Sequence, residues 1–237
     1  MIKRAIILAG GKGTRLKPFT KILPKPLMPI GKFTILEIVI RQLKYYGFKH
    51  ITITVNHQAK LIKAFFGDGK KFNIIIDYVL EKKPLGTMGP IRGIKNLPEN
   101  FLVMNGDILT DLNFKKLYKD HTKNKNLFTI SSYKRNELID YGLLETNKSK
   151  NLTKFVEKPH KIYQVSMGIY ILRKNILKYI PSNKFFGFDN LMYKLLKLKK
   201  KVKIRNHNGY WLDIGRPADY IVANEQFKKM KKKLLHV

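Results

Sequence analysis

The sequence AIILAGGKGTRL at residues 5–16 decides the fold, and PKPL follows it at residues 24–27. The unbroken apolar run at residues 5–8 predicts a buried strand that leads directly into a glycine-rich loop. Glycines let backbone N–H groups approach an anion without interference from a Cβ atom. Arg15 and Lys25 add two cations, and the prolines on either side of Lys25 restrict the backbone around it. The stretch therefore predicts a phosphate-binding loop at the end of a buried strand.

Two better-known glycine loops are excluded by the spacing. A Walker A loop requires G-x-x-x-x-G-K-[ST], which does not occur in this sequence. The dinucleotide-binding fingerprint requires a third glycine at the position that Leu16 occupies. A glycine-rich turn alone is equally consistent with a structural strand-to-helix turn. The phosphate-binding interpretation therefore depends on Arg15 and Lys25.

Strand and helix signals alternate along the chain. The predicted strands lie at residues 5–8, 51–55, 73–79, 101–104, 128–133, 142–145, 152–156 and 165–172. One predicted helix begins at a capping box at residues 34–37 and ends at Gly47. Further helices are predicted at 59–66, 88–96, 174–180, 189–198 and 217–233. This alternation predicts an α/β fold, a single Rossmann-like domain over residues 1–237 with a mixed, mostly parallel central sheet flanked by helices. In such sheets ligands bind at the carboxyl ends of the strands, where Gly10 and Asp107 fall.

Composition limits the class of protein further. The chain has 237 residues, enough for one large core, and no cysteine, which excludes disulfides and thiolate chemistry. The first apolar run is too short for a signal peptide or a membrane span, so we expect a cytoplasmic protein without membrane contact. The net charge of +32 suggests nucleic-acid binding, but lysines are scattered over every predicted element. We therefore expect no specific nucleic-acid partner, only salt-sensitive adhesion to anionic polymers.

The glycine loop and the PKPL segment together resemble the signature of the sugar-1-phosphate nucleotidyltransferases, L-A-G-G-x-G-T-R-L followed by P-K-P-L. The resemblance extends over the whole chain and implies a glycosyltransferase-A-like domain, with a nucleotide-binding half at about 1–125 and a sugar-phosphate-binding half at about 126–237. It implies that Arg15 and Lys25 are catalytic, holding the departing pyrophosphate and the reacting phosphates. The nucleotide-binding residues that it implies in the loop are Leu8, Ala9, Gly10, Gly11, Gly13 and Thr14.

Two carboxylates follow apolar segments and lie next to a glycine. Asp107 ends the strand at 101–104, and Asp213 lies in WLDIG at residues 211–215. A rigidly held carboxylate suits a hard cation, although an aspartate at such a turn is also a common cap. The resemblance implies that Asp107 and Asp213 hold Mg²⁺ between them.

Three further strings resemble the sugar-binding half of the family. FVEKP at residues 155–159 matches the E-K-P motif, so Glu157 is expected to bind sugar hydroxyls and Lys158 to orient the sugar 1-phosphate. The resemblance also implies that Gly142, Ser166 and Gly168 line the sugar pocket. Ser166 departs from the family pattern N-A-G because it lacks the amide.

The string EKKPLGTMG at residues 81–89 resembles the base-reading loop of the family. The resemblance implies that Glu81, Gly86 and Thr87 bind the nucleotide. Guanine presents adjacent N1–H and N2–H₂ donors that one carboxylate accepts together, so Glu81 favours guanine if it reaches the base. A solvated Glu81 beside Lys82 and Lys83 is the alternative.

The expected activity is formation of an NDP-sugar and pyrophosphate from an NTP and a sugar 1-phosphate, for surface polysaccharide or glycoconjugate synthesis. The strings FGFDNLM at 186–192 and GYWLDIGRP at 209–217 look most like mannose-1-phosphate guanylyltransferase-like members, which favours GTP and a manno-configured hexose or heptose. The first alternative is a uridylyl- or thymidylyltransferase acting on glucose 1-phosphate or an amino sugar 1-phosphate. The second is a non-catalytic sugar-nucleotide sensor. A homodimer is also expected from the resemblance.

Overall fold

A seven-stranded sheet forms the centre of the molecule. The computed structural model describes residues 2–11, 13–56, 58–81 and 83–236. Its strands are β1 (Lys3–Leu8), β2 (Pro29–Ile30), β3 (Phe33–Thr34), β4 (Phe48–Val55), β5 (Ile75–Leu80), β6 (Asn100–Asn105), β7 (Ile108–Thr110), β8 (Phe128–Leu138), β9 (Leu143–Thr146), β10 (Leu152–Val156), β11 (His160–Arg173), β12 (Val202–His207) and β13 (Trp211–Asp213). The central sheet has the order β12-β8-β11-β6-β1-β4-β5, and only β11 runs antiparallel to its neighbours in it. The predicted mixed, mostly parallel α/β sheet is confirmed.

Helices cover both faces of this sheet. The α-helices are α1 (Ile35–Tyr45), α2 (Ala59–Phe66), α3 (Phe114–Lys123), α4 (Phe188–Lys197) and α5 (Pro217–Leu235). Strand β1 is buried on both sides because Ile7 packs with α1, α2 and α3 while Ile6 packs with α4. This two-sided burial explains the unbroken apolar run at its end. The strand therefore delivers the glycine loop from the middle of the sheet.

Two of the predicted helices are wrong in type. The segment predicted as a helix at 88–96 contains only a short 3₁₀ turn, Gly89–Gly93, because Pro90 has no N–H and the two glycines disfavour a longer helix. The segment predicted at 174–180 is also a 3₁₀ turn, Lys174–Tyr179. It ends at Ile180, whose backbone is extended because proline follows it.

Helix α3 was not predicted from the sequence. Its buried face consists of Phe114, Leu117 and His121, and lysines occupy most of the positions between them. Asn113 caps the helix by accepting a hydrogen bond from Lys116 N at 2.8 Å. Strand β12 at the sheet edge was missed for the same reason, because alternate lysine and arginine residues conceal Val202 and Ile204.

The C-terminal helix α5 packs against its own chain. Its buried residues Ala223, Phe227 and Leu234 contact a cluster that includes Ile35 and Ile38 of α1. Tyr220 of α5 also donates a hydrogen bond to the Pro29 carbonyl at 2.7 Å. The apolar face of α5 is therefore covered within the monomer, and its lysines face solvent. Across the described part of the chain, no helix combines the length and apolar character needed to cross a membrane.

Candidate active site

The site lies where β1 and β6 end side by side. These strands are parallel neighbours, and Leu8 pairs with Asn105 at their carboxyl ends. Gly106 N then donates to the Leu8 carbonyl at 3.0 Å, which ties the two connecting loops together. Parallel pairing therefore brings the glycine loop beside Asp107, although the two are far apart in sequence.

A small cavity of about 250 Å³ opens between these loops. Its walls consist of the glycine loop, the segment that carries Lys25, and the turn after β6, formed by Leu8, Ala9, Gly11, Gly13, Thr14, Arg15, Lys25, Pro26, Gly106, Asp107 and Gly215. Most of the predicted phosphate-binding residues thus share one cavity. Lys12 of the glycine loop lies outside the described residues.

Lys25 and Asp107 form an ion pair in this cavity. The Lys25 ammonium contacts Oδ2 of Asp107, and the two side chains are 10% and 23% exposed. Oδ1 of Asp107 is buried without a hydrogen-bond partner among the described residues. Because a buried carboxylate oxygen is costly when unpaired, Asp107 retains capacity for a further cation or donor.

Asp213 reaches the same place from the other end of the chain. Strand β13 pairs with β7, so Asp213 lies opposite Ile108, and Ile214 N donates to the Asp107 carbonyl at 3.0 Å. Burial raises the pKa of Asp213, and the Asp107 charge raises it further, while Lys25 and Arg15 oppose both effects. The tip of the Asp213 side chain nevertheless keeps access to solvent.

These two carboxylates are chemically suited to Mg²⁺. They are hard oxygen donors, Asp107 in the turn before β7 and Asp213 on β13, which pairs with β7, and one of their oxygens has no partner in the described structure. No group of three or more histidine, cysteine or acidic residues could hold a metal ion in the described ranges. A cation here would therefore complete its coordination with water and phosphate oxygens, as Mg²⁺ usually does.

A second, larger cavity of about 730 Å³ adjoins the first. Leu8, Gly11 and Asp107 belong to the walls of both cavities. The other walls of the larger cavity are Gly10, Thr54, Asn56, Leu80, Glu81, Lys83, Pro84, Gly86, Thr87, Asn105 and Phe185. The predicted base-reading residues Glu81, Gly86 and Thr87 thus line one space that continues into the phosphate-sized cavity.

The Glu81 carboxylate lies directly over the glycine loop. A Cβ atom at Gly10 would lie 2.5 Å from Glu81 Oε1, so only glycine fits at this position without displacing the carboxylate. Burial raises the pKa of Glu81, and hydrogen bonds from the Leu85 backbone and the Thr54 hydroxyl oppose this shift. Glu81 therefore lies half-buried in the cavity wall, with its carboxylate over the glycine loop.

The predicted sugar-binding residues fall into two groups. Gly142 lies beside Glu157, since a Cβ at Gly142 would lie 3.1 Å from Glu157 Oε2. Lys158 forms an exposed ion pair with Asp140 at 2.9 Å. In the described structure Gly142, Glu157 and Lys158 are outside the walls of both cavities, at the base of the β9–β10 hairpin.

Ser166 and Gly168 lie closer to the larger cavity. They flank Met167 at a bulge in β11, where the pairing with β8 shifts. A Cβ at Gly168 would lie 2.6 Å from Nδ2 of Asn105, a residue of the cavity wall. The Ser166 hydroxyl hydrogen-bonds the Tyr170 hydroxyl at 3.2 Å. The roles of both groups in sugar binding stay predictions.

Seven residues that line the larger cavity were not predicted as site residues from the sequence: Thr54, Asn56, Leu80, Lys83, Pro84, Asn105 and Phe185. Asn56 donates through Nδ2 to the Gly10 carbonyl and so anchors the glycine loop. Asn56 and Asn105 stand at or just after the ends of predicted strands, the same position that drew attention to Asp107. A polar residue at the end of a predicted strand was therefore a signal that the sequence contained for both asparagines.

A family-wide sequence profile described as "Nucleotidyl transferase" matches residues 4–230. The chain therefore belongs to the nucleotidyl transferase family, and its named relatives are enzymes that act on sugar 1-phosphates.

Curated relatives differ in the nucleotide and sugar that their names give. The chain is 28% identical to mannose-1-phosphate guanylyltransferase of Mycobacterium tuberculosis and 32% identical to UTP–glucose-1-phosphate uridylyltransferase of Synechocystis, each over 92% of the chain. It spans only 62% and 61% of those two proteins. It is also 33% identical to D-glycero-alpha-D-manno-heptose 1-phosphate guanylyltransferase of Campylobacter jejuni, over 92% of the chain and 96% of that protein.

Solved structures agree with the family. HddC from Yersinia pseudotuberculosis superposes with a TM-score of 0.74 at 30% identity, covering 95% of this chain and 100% of that one. A second structure of the same protein, complexed with GMP-PN, gives a TM-score of 0.72 at 29% identity over the same shares.

Proposed function

We propose that this protein catalyses transfer of a nucleotidyl group from an NTP to a sugar 1-phosphate, releasing pyrophosphate. The observation that carries the proposal is the pair of joined cavities at the carboxyl ends of β1 and β6. One has a glycine loop, Arg15 and Lys25 around a phosphate-sized space, and the other has Glu81 in its wall. A triphosphate with an attached nucleoside fits this combination of charge and shape.

The chemistry needs no general base. An oxygen of the sugar 1-phosphate attacks the α-phosphorus of the nucleotide, and the bond from that phosphorus to the bridging β-phosphate oxygen breaks. The attacking oxygen is already anionic at neutral pH, so catalysis consists of positioning and charge neutralisation. Backbone N–H groups of the loop and Arg15 would hold the β- and γ-phosphates, while Lys25 would neutralise the charge that develops around the α-phosphate.

We propose Asp107 and Asp213 as the residues that hold Mg²⁺. The bound cation would supply Lewis-acid polarisation of phosphate oxygens. Lys25 shares Asp107 with this site, so it stands within reach of any phosphate that arrives there.

GTP is the favoured nucleotide. Glu81 presents a partly buried carboxylate in the larger cavity, and such a group can accept both Watson–Crick edge donors of guanine. Two relatives of about the same similarity are named guanylyltransferases, and their names give manno-configured substrates. The runner-up is a uridylyl- or thymidylyltransferase acting on glucose 1-phosphate or an amino sugar 1-phosphate, which the name of the Synechocystis relative favours.

The test is pyrophosphate release with purified protein across a matrix of NTPs and sugar 1-phosphates, with Mg²⁺ present and then chelated. We expect turnover with GTP and mannose 1-phosphate or a manno-heptose 1-phosphate, and loss of turnover on chelation. The matched variants are Lys25→Met and Lys21→Met, since Lys21 is an exposed lysine of the same loop region that lines neither cavity. Nucleotide binding without turnover on any pair would favour a sugar-nucleotide sensor and refute the proposal.

A further inference from the structure

The ring of Phe185 is exposed, unlike the rings of the phenylalanines that follow it in the sequence. Its neighbours Phe186 and Phe188 pack against the core, and the Phe188 ring stacks on Tyr170 at a centroid distance of 4.8 Å. Phe185 instead lines the larger cavity and is 66% exposed. Small-molecule pockets are lined largely by hydrophobic and aromatic side chains, so a ring in a cavity wall is placed to contact a ligand.

The segment that carries Phe185 is fixed to the predicted base-reading loop. Met88 N and Gly89 N both donate to the Phe186 carbonyl at 3.0 Å, and Phe186 N donates to the Leu85 carbonyl at 2.9 Å. Phe188 N donates to the Thr87 hydroxyl at 2.7 Å. The backbone directly after Phe185 is therefore held against this loop by hydrogen bonds, although the two segments are about a hundred residues apart in the chain.

Gly86 shows how closely the two segments approach. Its φ of +73° is in the left-handed region, and a Cβ there would lie 2.8 Å from the Phe186 carbonyl oxygen. Because this contact is with backbone, a side chain at position 86 would force the two segments apart. Phe185 therefore belongs to the Glu81–Gly89 end of the larger cavity, whereas Arg15 and Lys25 line the smaller one.

We propose that Phe185 is a nucleotide-recognition residue whose ring stacks on the nucleobase. The inference rests on the proposed function, because it takes the larger cavity as the base site. Glu81 would bind an edge of the base and Phe185 a face, so the two residues contribute independently. A ring face binds every base, and binds the larger purine surface more strongly than a pyrimidine.

The test compares binding of GTP with binding of inorganic tripolyphosphate, which has the charge but no base, by titration calorimetry with Mg²⁺. For Phe185→Ala we expect GTP affinity to fall about 5- to 150-fold, the range that base stacking supports. Tripolyphosphate affinity should stay within about twofold of the parent. Phe185→Tyr should restore GTP binding, and Tyr193→Ala, which removes a 71% exposed aromatic outside the cavity wall, should change neither affinity.

Three outcomes would contradict the stacking of Phe185 on the nucleobase. An alanine variant that binds GTP as tightly as the parent, or that loses GTP and tripolyphosphate affinity equally, would overturn stacking while leaving the enzymatic proposal to its own turnover assay. A parent that binds no nucleotide better than tripolyphosphate would overturn the base site itself. In turnover, stacking predicts a raised KM for GTP with kcat retained, because the ring contacts the base equally before and during the reaction.

Discussion

We predict that Lys25 pairs with Asp107 and, during the reaction, binds a substrate phosphate. The variant Lys25→Met tests both roles. The Lys25 ammonium contacts Asp107, and only 10% of the lysine side chain is exposed. Methionine keeps most of the apolar stem but removes the charge. The variant therefore leaves Asp107 without its cation while preserving most of the packing around Pro24 and Pro26.

The magnitudes for activity and stability differ. Losing a charge contact to a reacting phosphate costs about 100- to 1,000-fold in kcat. The folded protein loses less, about 1–3 kcal/mol, because Asp107 is 23% exposed and water can replace part of the interaction. If Asp107 holds Mg²⁺ as proposed, Lys25 would compete with the metal ion for Asp107 Oδ2. We therefore expect the variant to bind Mg²⁺ more tightly than the parent in the absence of nucleotide.

The assays are pyrophosphate release, urea unfolding, and the thermal shift that Mg²⁺ produces on the nucleotide-free protein. Lys21→Met should match the parent in all three. A Lys25→Met protein that turns over at the parental rate would refute the catalytic role. A smaller Mg²⁺-induced shift in the variant than in the parent would refute the competition between lysine and metal at Asp107.

Three further outcomes test other parts of the structure. Gly10→Ala should weaken GTP binding by about tenfold, a cost of about 1–3 kcal/mol for overpacking against Glu81, whereas Gly93→Ala, with nothing within 4 Å and outside both cavity walls, should have little effect; equal effects in equilibrium binding would contradict this. Burial lowers the pKa of His121 to about 4, so the unfolded chain takes up a proton below about pH 6.5 while the native state resists it until about pH 4. The free energy of unfolding should therefore fall by about 3 kcal/mol across that window in urea titrations, and His121→Gln should flatten this dependence. Retention of nucleic acid by the +32 chain should collapse between about 50 and 200 mM salt while nucleotide turnover largely persists; turnover that falls in parallel would show that the two share a site.

The sequence was informative wherever a local pattern decides the outcome. The glycine loop, the strand before Asp107 and helix α5 were all predicted, because apolar period, glycine and proline act over a few residues. Helix α3 was not predicted, because its lysines outnumber the three residues of its buried face and hide the apolar period.

The remaining features depend on contacts between distant segments. Nothing local to Lys25 indicates that it pairs with Asp107, and nothing around Phe185 indicates that Thr87 and Leu85 fix its backbone. Lys158 shows the reverse case, since a strong motif match still leaves its ammonium paired with Asp140 at the surface. Each of these contacts joins residues from separate parts of the sequence, so no short stretch of sequence could have predicted it.

The pairing of β13 with β7 also sets an order of assembly. The ribosome makes the glycine loop and Asp107 about a hundred or more residues before it makes Asp213. A growing chain therefore lacks the second carboxylate until β13 has left the ribosome and paired with β7. If turnover requires Asp213, as we propose, the topology would keep an unfinished chain from consuming nucleotide.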